Sequence, residues 1–313
     1  PTSLLGSGGR ERSFGVYVQD VFAWGSRAVV AGSVRYDRWS NSRGLSATRS
    51  LATGITTTTI FADRDEDALS PRLSVLFRVT PELSLNGSAS RSFRAPTLNE
   101  LYRGFRVGNI VTNANADLRA ERAASFDAGA RFARGPLYLR VTGFYTEIDR
   151  AVANVTLAVT PMLITRQRQN AGRTRSTGLE LDAELRISRL TLNAGYLFAD
   201  SRVTEFPLNP LLDDNFIPQV PRHQFTFQAR YAARRWDLGL QGRAAGRQFD
   251  DDQNQFRLEP FFQLDGLLNF RVNEHLGIFL AAENIFNRRY SVGLTPLSTV
   301  AAPASVRLGL RWK

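Results

Sequence analysis

The octapeptide Gln224-Phe225-Thr226-Phe227-Gln228-Ala229-Arg230-Tyr231 puts Phe225, Phe227, Ala229 and Tyr231 in one register and Gln224, Thr226, Gln228 and Arg230 in the other. Successive side chains of a β-strand point to opposite faces, so this stretch reads as a strand with one apolar and one polar face. Leu179 to Ile187 repeats the pattern, with Leu179, Leu181, Ala183, Leu185 and Ile187 opposed to Glu180, Asp182, Glu184 and Arg186. From Leu83 to Arg94 the polar stripe is Ser84, Asn86, Ser88, Ser90, Ser92 and Arg94.

Extended to both ends, the alternation predicts about thirteen strands of roughly ten residues, the length a tilted strand needs to cross a bilayer. They fall near 13–24, 28–38, 68–79, 83–93, 122–132, 137–148, 174–187, 190–203, 222–232, 236–247, 259–271, 276–287 and 302–313. Short turns such as Gly25-Ser26-Arg27, Thr80-Pro81-Glu82, Arg134-Gly135-Pro136 and Ser188-Arg189 take turns with much longer loops. Systematic alternation of loop length belongs to transmembrane barrels, whereas a soluble sandwich has no reason for it.

Composition agrees. The chain has 313 residues, 43% hydrophobic and 22% charged, a globular balance. There is no cysteine, which excludes a disulfide scaffold, a zinc-thiolate site and a cysteine nucleophile. No stretch approaches the roughly 18 apolar residues of a membrane-spanning helix. Pro1 to Arg12 carry neither an initiator methionine nor a signal-peptide profile, so the chain is expected to start inside a longer one.

Aromatics of the apolar register gather at strand ends: Phe132, Tyr231, Trp236, Phe270 and Trp312 by short turns, Tyr36, Phe93, Tyr145, Phe198 and Phe286 by long loops. Two interfacial girdles are expected. The opposite register carries Arg35, Arg78, Arg131, Arg140, Arg186, Arg230, Arg243, Arg271, Arg307 and Arg311, with Asp37, Asp127, Asp182, Glu184, Asp265 and Glu283 among them. A wet lumen tolerates such charges, and a dry soluble core does not.

No phosphate-binding loop, dinucleotide glycine motif, nucleophile elbow or His-Glu-x-x-His pattern is present, so catalysis has no sequence support. His223 at a long-loop strand end and His275 in a short turn fall on opposite sides of the membrane and cannot share a metal. Asp63, Asp65, Glu66 and Asp67, and the run Asp250-Asp251-Asp252, lie in long loops and read as solvated charge, with a divalent-ion or lipopolysaccharide contact as the alternative. With 40 basic against 29 acidic residues the net charge is +11, and Lys313 is the only lysine. The arginines spread over every strand and turn, which argues against a nucleic-acid patch. In the loop after Pro96, Tyr102, Arg103, Phe105, Arg106, Asn109 and Asn113 combine rings, guanidinium groups and amides. They are either a grip for an anionic, ring-bearing ligand such as a metal chelate, or loop decoration.

Two segments resemble a known family. Ser90-Arg91-Ser92-Phe93-Arg94-Ala95-Pro96-Thr97-Leu98-Asn99-Glu100-Leu101-Tyr102, with Asn115-Ala116-Asp117-Leu118-Arg119-Ala120-Glu121 after a loop, resembles the mid-barrel signature of TonB-dependent outer-membrane receptors. Ala282-Glu283-Asn284-Ile285-Phe286-Asn287-Arg288-Arg289-Tyr290 is similar to their penultimate-strand motif. The motif residues Phe93, Arg94, Pro96, Leu98, Glu100, Leu101, Tyr102, Glu121, Glu283, Asn284, Phe286 and Tyr290 read as structural, with Pro96 ending a strand and Arg94 pairing with Glu100 at the rim.

The resemblance implies an all-β, antiparallel transmembrane β-barrel of which residues 1–313 form the C-terminal portion, about 13 of about 22 strands, with no plug domain in this chain. It implies a bacterial outer-membrane receptor that takes up a scarce ligand of the ferric siderophore, haem or cobalamin class. Energy would arrive from the TonB complex through the plug segment. Val306, Leu308, Leu310 and Trp312 would form the C-terminal strand signal for the barrel-insertion machinery, with a terminal aromatic beyond Lys313. Outer-membrane lipid and lipopolysaccharide are the remaining implied partners; no cofactor, metal or nucleic acid is expected. The alternatives are a passive, anion-favouring porin-like channel and a soluble β-sandwich. Unpaired edges in lipid predict that these strands do not insert stably by themselves.

Overall fold

Alternation commits each segment to a face but leaves its neighbours to be chosen by backbone hydrogen bonding. The computed structural model describes residues 3–170, 172–295 and 297–312. Its wall is one antiparallel sheet whose strands follow chain order. They are β1 (Ser3–Trp24), β2 (Ala28–Ser50), β3 (Arg64–Arg78), β4 (Leu83–Arg94), β5 (Glu121–Arg134), β6 (Leu137–Asp149) and β7 (Arg173–Ile187). Then come β8 (Leu190–Glu205), β9 (His223–Ala232), β10 (Trp236–Ala245), β11 (Phe261–Arg271), β12 (Leu276–Glu283) and β13 (Ser305–Trp312). A short strand, Thr56–Ile60, adds to β2 above the wall.

The apolar register is continuous around the sheet. Val18 faces Val34, and Val34 faces Pro71. Leu73 faces Ala89, Leu85 faces Ala130, and Ala130 faces Val141. Leu181 pairs with Val141 on one side and Tyr196 on the other, and Tyr196 with Phe225. Phe227 faces Gly242, Leu240 faces Gly266, Leu268 faces Leu280, and Leu280 faces Leu308. A slip of one residue anywhere would have turned a whole strand over. Many outward residues, including Val75, Leu85, Phe126, Leu181, Leu240 and Leu280, are exposed, as a lipid-facing band must be in the protein alone.

The opposite face is polar and carries several internal ion pairs. Arg35 binds Asp37 at 2.7 Å, Arg186 binds Glu184 at 2.7 Å, Arg230 binds Asp237 at 2.6 Å, and Arg307 pairs with Glu283. Ser88 Oγ donates to Asp127 at 2.6 Å. Among the described residues β1 and β13 are the two free edges of the wall. Every ladder between them is antiparallel and the strand number is odd, so both edges run in the same direction.

Two boundaries differ from the sequence expectation, each for its own reason. β1 begins at Ser3, and its ladder with β2 continues to Ser3 opposite Ser50. The stretch 39–50 has no apolar alternation because it stands above the lipid band, where both faces meet water or loops while the ladder persists. β12 stops at Glu283 because Asn284 (φ 49°) and Asn287 (φ 46°) turn into the left-handed region, which asparagine tolerates. Lys313, beyond which a terminal aromatic is implied, lies outside the described residues.

At the short-turn ends Trp236 packs on Phe270 at 4.3 Å between centroids. At the long-loop ends Phe126 and Tyr145 lie 6.3 Å apart, and Tyr145 Oη donates to Glu147. Phe93 departs from the girdle reading, because it packs against a buried cluster of the loops rather than standing free. Phe286 lies beyond β12, exposed, 6.3 Å from the outward Phe262.

Leu240 lies near the middle of β10 on the outward face and Gln241 on the inward one. Leu240→Arg is expected to destabilise the complete protein in lipid vesicles by about 2–4 kcal/mol, while Gln241→Arg leaves stability within experimental error. Denaturant unfolding from vesicles of both variants checks this.

Candidate functional site

The loops at the long end are packed structures, and the first organises the rest. Pro96 has no N–H for the ladder, so β4 ends and the chain turns into α1 (Leu98–Tyr102). Thr97 caps it: its Oγ1 accepts from Glu100 N at 3.3 Å, and the Glu100 carboxylate accepts from Thr97 N at 2.8 Å. Arg94 then ties Glu100 (3.1 Å) to Glu121, whose other oxygen accepts from Val152 N at 2.6 Å. Strand end, helix and two loops thus share one ion-paired node.

α1 docks on the part of β1 and β2 that projects above the lipid band. Leu101 and Tyr102 join Trp39 and Leu118 in a buried cluster, with Phe61, Phe93 and Leu98 packed against it. Tyr102 Oη donates to Asn41 Oδ1 at 2.9 Å, and its ring stacks on Phe61 at 4.8 Å. Glycine is required beneath it, since a Cβ on Gly44 would lie 2.5 Å from the Tyr102 ring. Tyr102 is 2% exposed, buried within this cluster rather than facing solvent.

The other five loop candidates do face solvent. Phe105–Val107 and Ile110–Asn113 form a hairpin, and Ile110–Asn113 pairs in parallel with Ile164–Asn170, which pairs with Val152–Val159. Arg103, Phe105, Arg106, Asn109 and Asn113 are exposed on this small sheet and its connections. Arg168 reaches two of them, Arg103 and Phe105, from the next loop. Its Nη1 donates to Asn99 O (2.7 Å) and Arg103 O (3.1 Å), and its guanidinium lies 5.2 Å from the Phe105 ring centroid. Burial lowers its pKa from the usual arginine value. No sequence signal marked Arg168, because its partners lie 65 and 69 residues away in the chain.

The run Asp250-Asp251-Asp252 is not solvated charge but is drawn into hydrogen bonds with the loops around it. Asp250 is 7% exposed and Asp251 4%. Asp250 accepts from Leu294 N, Thr295 N, Thr295 Oγ1 and Gln219 Nε2 at 2.7–2.9 Å. Asp251 accepts from the Gln255 and Phe256 amides, and Asp252 from Thr156 N and Oγ1. Asp250 and Asp252 therefore join four loops, and Asp251 braces their own. Among the described residues no group of three His, Asp or Glu side chains is placed to hold a metal. His223 Nδ1 meets Tyr196 Oη at 2.8 Å, at the opposite end of the wall from His275.

The second motif also builds structure. Asn284 is buried and bonds Arg288 N, Arg288 O and Ala302 O at 2.8–3.0 Å, while its own N–H donates to Asp265. Tyr290 stacks flat on Phe261 at 3.9 Å. Val306, Leu308, Leu310 and Trp312 are exposed along the outward register of the edge strand β13.

Comparison with known proteins fits this architecture. A family described as TonB dependent receptor-like, beta-barrel matches residues 1–285. The chain belongs to this family. It is 23% identical over 226 residues to the vitamin B12 transporter BtuB of Photobacterium profundum, covering 70% of this chain and 34% of that protein. It is 26% identical over 271 residues to the metal-pseudopaline receptor CntO of Pseudomonas aeruginosa, covering 82% of this chain and 34% of that one. The ferric-catecholate import receptor Fiu of Escherichia coli K12 superposes with a TM-score of 0.78 at 19% identity, over 98% of this chain and 45% of that structure. The chain thus spans about a third of the two receptors' length and under half of the solved one. As a TonB-dependent receptor barrel wall it belongs in the outer membrane.

Two outcomes follow for the loops. Burial pushes the Glu100 carboxyl up, but hydrogen bonds from Thr97 and the Arg94 guanidinium outweigh it and leave the pKa below its ordinary 4.5. Its stabilisation is fully present above pH 4.5 and is lost as pH falls through the depressed value. Protease nicking of the 95–120 loop is expected to rise only below that range, and Glu100→Gln to abolish this pH dependence. Asp250→Ala leaves several buried donors without a partner, at a cost of about 1–3 kcal/mol. The Leu294 and Thr295 amides should then exchange hydrogen faster while the wall strands stay protected.

Proposed function

We propose that this chain is the C-terminal portion of the wall, with its outer loops, of an active-transport receptor that takes up a scarce ligand. The ligand class is ferric siderophore, haem or cobalamin, in keeping with the vitamin B12, metal-pseudopaline and ferric-catecholate relatives. Energy comes from the TonB complex through a plug domain, and the wall serves transport rather than catalysis. The observation that carries this reading is the outer-loop assembly: Arg94, Arg168 and Asp250 to Asp252 fix loops that leave Arg103, Phe105, Arg106, Asn109 and Asn113 facing solvent. Exposed rings and guanidinium groups on a rigid base suit an anionic, ring-bearing chelate. Val306, Leu308, Leu310 and Trp312 serve assembly by the barrel-insertion machinery, and the outward face meets lipid and lipopolysaccharide.

A passive anion-favouring channel is the competing reading, supported by inward arginines such as Arg131, Arg271 and Arg311 that have no ion-pair partner among the described residues. Accumulation of ferric catecholate, haem and cobalamin, by cells with and without TonB that express the complete gene, separates the two. Accumulation of one ligand that vanishes without TonB supports the receptor; equal, unsaturable entry in both strains supports the channel. In the receptor, replacing Arg103 and Arg106 by alanine should weaken ligand binding at least about tenfold without reducing the amount assembled, since each removes a charge-assisted contact.

A further inference from the structure

Five of the ten inward arginines meet carboxylates; Arg243, like Arg78, Arg131, Arg271 and Arg311, has none among the described residues. Arg35, Arg140, Arg186, Arg230 and Arg307 each have an Asp or Glu partner. Arg243 sits near the long-loop end of β10, in the inward register between Thr226 and Gln263. Its Nη2 donates to Tyr290 Oη at 3.1 Å and to Gln263 Oε1 at 3.4 Å, and its guanidinium lies 5.3 Å from the Phe261 ring centroid. No carboxylate pairs with it among the described residues.

The group is held rather than merely present. Tyr290 Oη donates to Gln263 Oε1 at 2.8 Å, and the Tyr290 ring, 7% exposed, stacks on Phe261. Gln263 is anchored in turn by its amide nitrogen on Asp265 at 3.0 Å, and Asp265 accepts from Asn284 N. The neutral partners leave the positive charge uncompensated, and three of the five guanidinium N–H donors have no partner among the described residues. A fixed fork of donors beside an aromatic ring matches a planar carboxylate carried on a ring.

We propose that Arg243, positioned by Tyr290 and Gln263, is an anion subsite on the lumen wall just inside the outer loops, taking the carboxylate of an aromatic solute. This rests on the inward face lining a lumen, and it holds whether passage is energised or passive. It also gives the motif tyrosine a role beyond packing, that of a positioning residue.

Equilibrium titration of the complete receptor in detergent tests it, with phthalate as probe and its neutral diamide as control. Wild type should bind phthalate in the millimolar range and the diamide at least tenfold more weakly. Arg243→Gln should lose at least tenfold in phthalate affinity. Arg243→Lys should fall between, because an ammonium keeps the charge but not the fork. Tyr290→Phe should lose about threefold, while Arg307→Gln, whose arginine already has Glu283, should change nothing. Heat-modifiable gel mobility reports folding of each variant; if Arg243→Gln does not fold, Arg243→Lys and Tyr290→Phe carry the test. Absence of phthalate binding by wild type, equal binding of the diamide, or unchanged affinity in the Arg243 variants overturns the subsite. Unchanged affinity in Tyr290→Phe alone overturns the positioning role. TonB takes no part in the titration, so a failure of energised uptake leaves this readout intact.

Discussion

Hydrocarbon supplies no hydrogen-bond partner, so every backbone N–H and C=O of a spanning strand must find one on a neighbouring strand. That constraint makes the wall a single unbroken ladder and forces each strand to inherit its register from the one before. Because the side-chain period is two, the apolar face of β1 dictates which residues of β13 meet lipid, twelve ladders later. The glycines opposite Phe227 and Leu240 on the outward face show the same inheritance, since the paired large residue covers the gap each leaves.

Once the outward face is committed to lipid, charge has only two places to go, the lumen and the loops. In the lumen Arg35, Arg140, Arg186, Arg230 and Arg307 meet acids on the same or the adjacent strand, so the wall's positive charge is neutralised in part and left uncompensated at positions such as Arg243. In the loops, carboxylates act as acceptors for backbone amides. Asp250 and Glu100 are the clearest cases, and in both the hydrogen bonds received outweigh the cost of burial and keep the group ionised. The loops are consequently held by side chains instead of a ladder.

The family motifs take their meaning from this division. Arg94, Pro96, Glu100, Glu121 and Tyr102 mark where a strand leaves the lipid band and must be closed off against the projecting β1–β2 hairpin. Asn284 and Tyr290 do the same at the end of β12. Each terminates a ladder while satisfying the groups that termination exposes.

Thirteen strands, their order of apolar and polar faces and the alternation of short and long connections were legible from Phe225, Leu181 and their like, because a two-residue period survives wherever one face meets lipid and the other water. The β1–β2 extension was not legible, since Trp39 to Ser50 has water or loops on both sides and no reason to alternate. Nor were the partners of Tyr102, Arg168 and Asp250 to Asp252. Thr156 and Asp252 are 96 residues apart in sequence, and nothing local to either marks the other. The sequence by itself therefore determined the wall, which is written in a local periodicity. The arrangement of the loops, the burial of Tyr102 and the uncompensated charge of Arg243 were decided only by the tertiary structure, because they depend on which distant side chains that wall brings together.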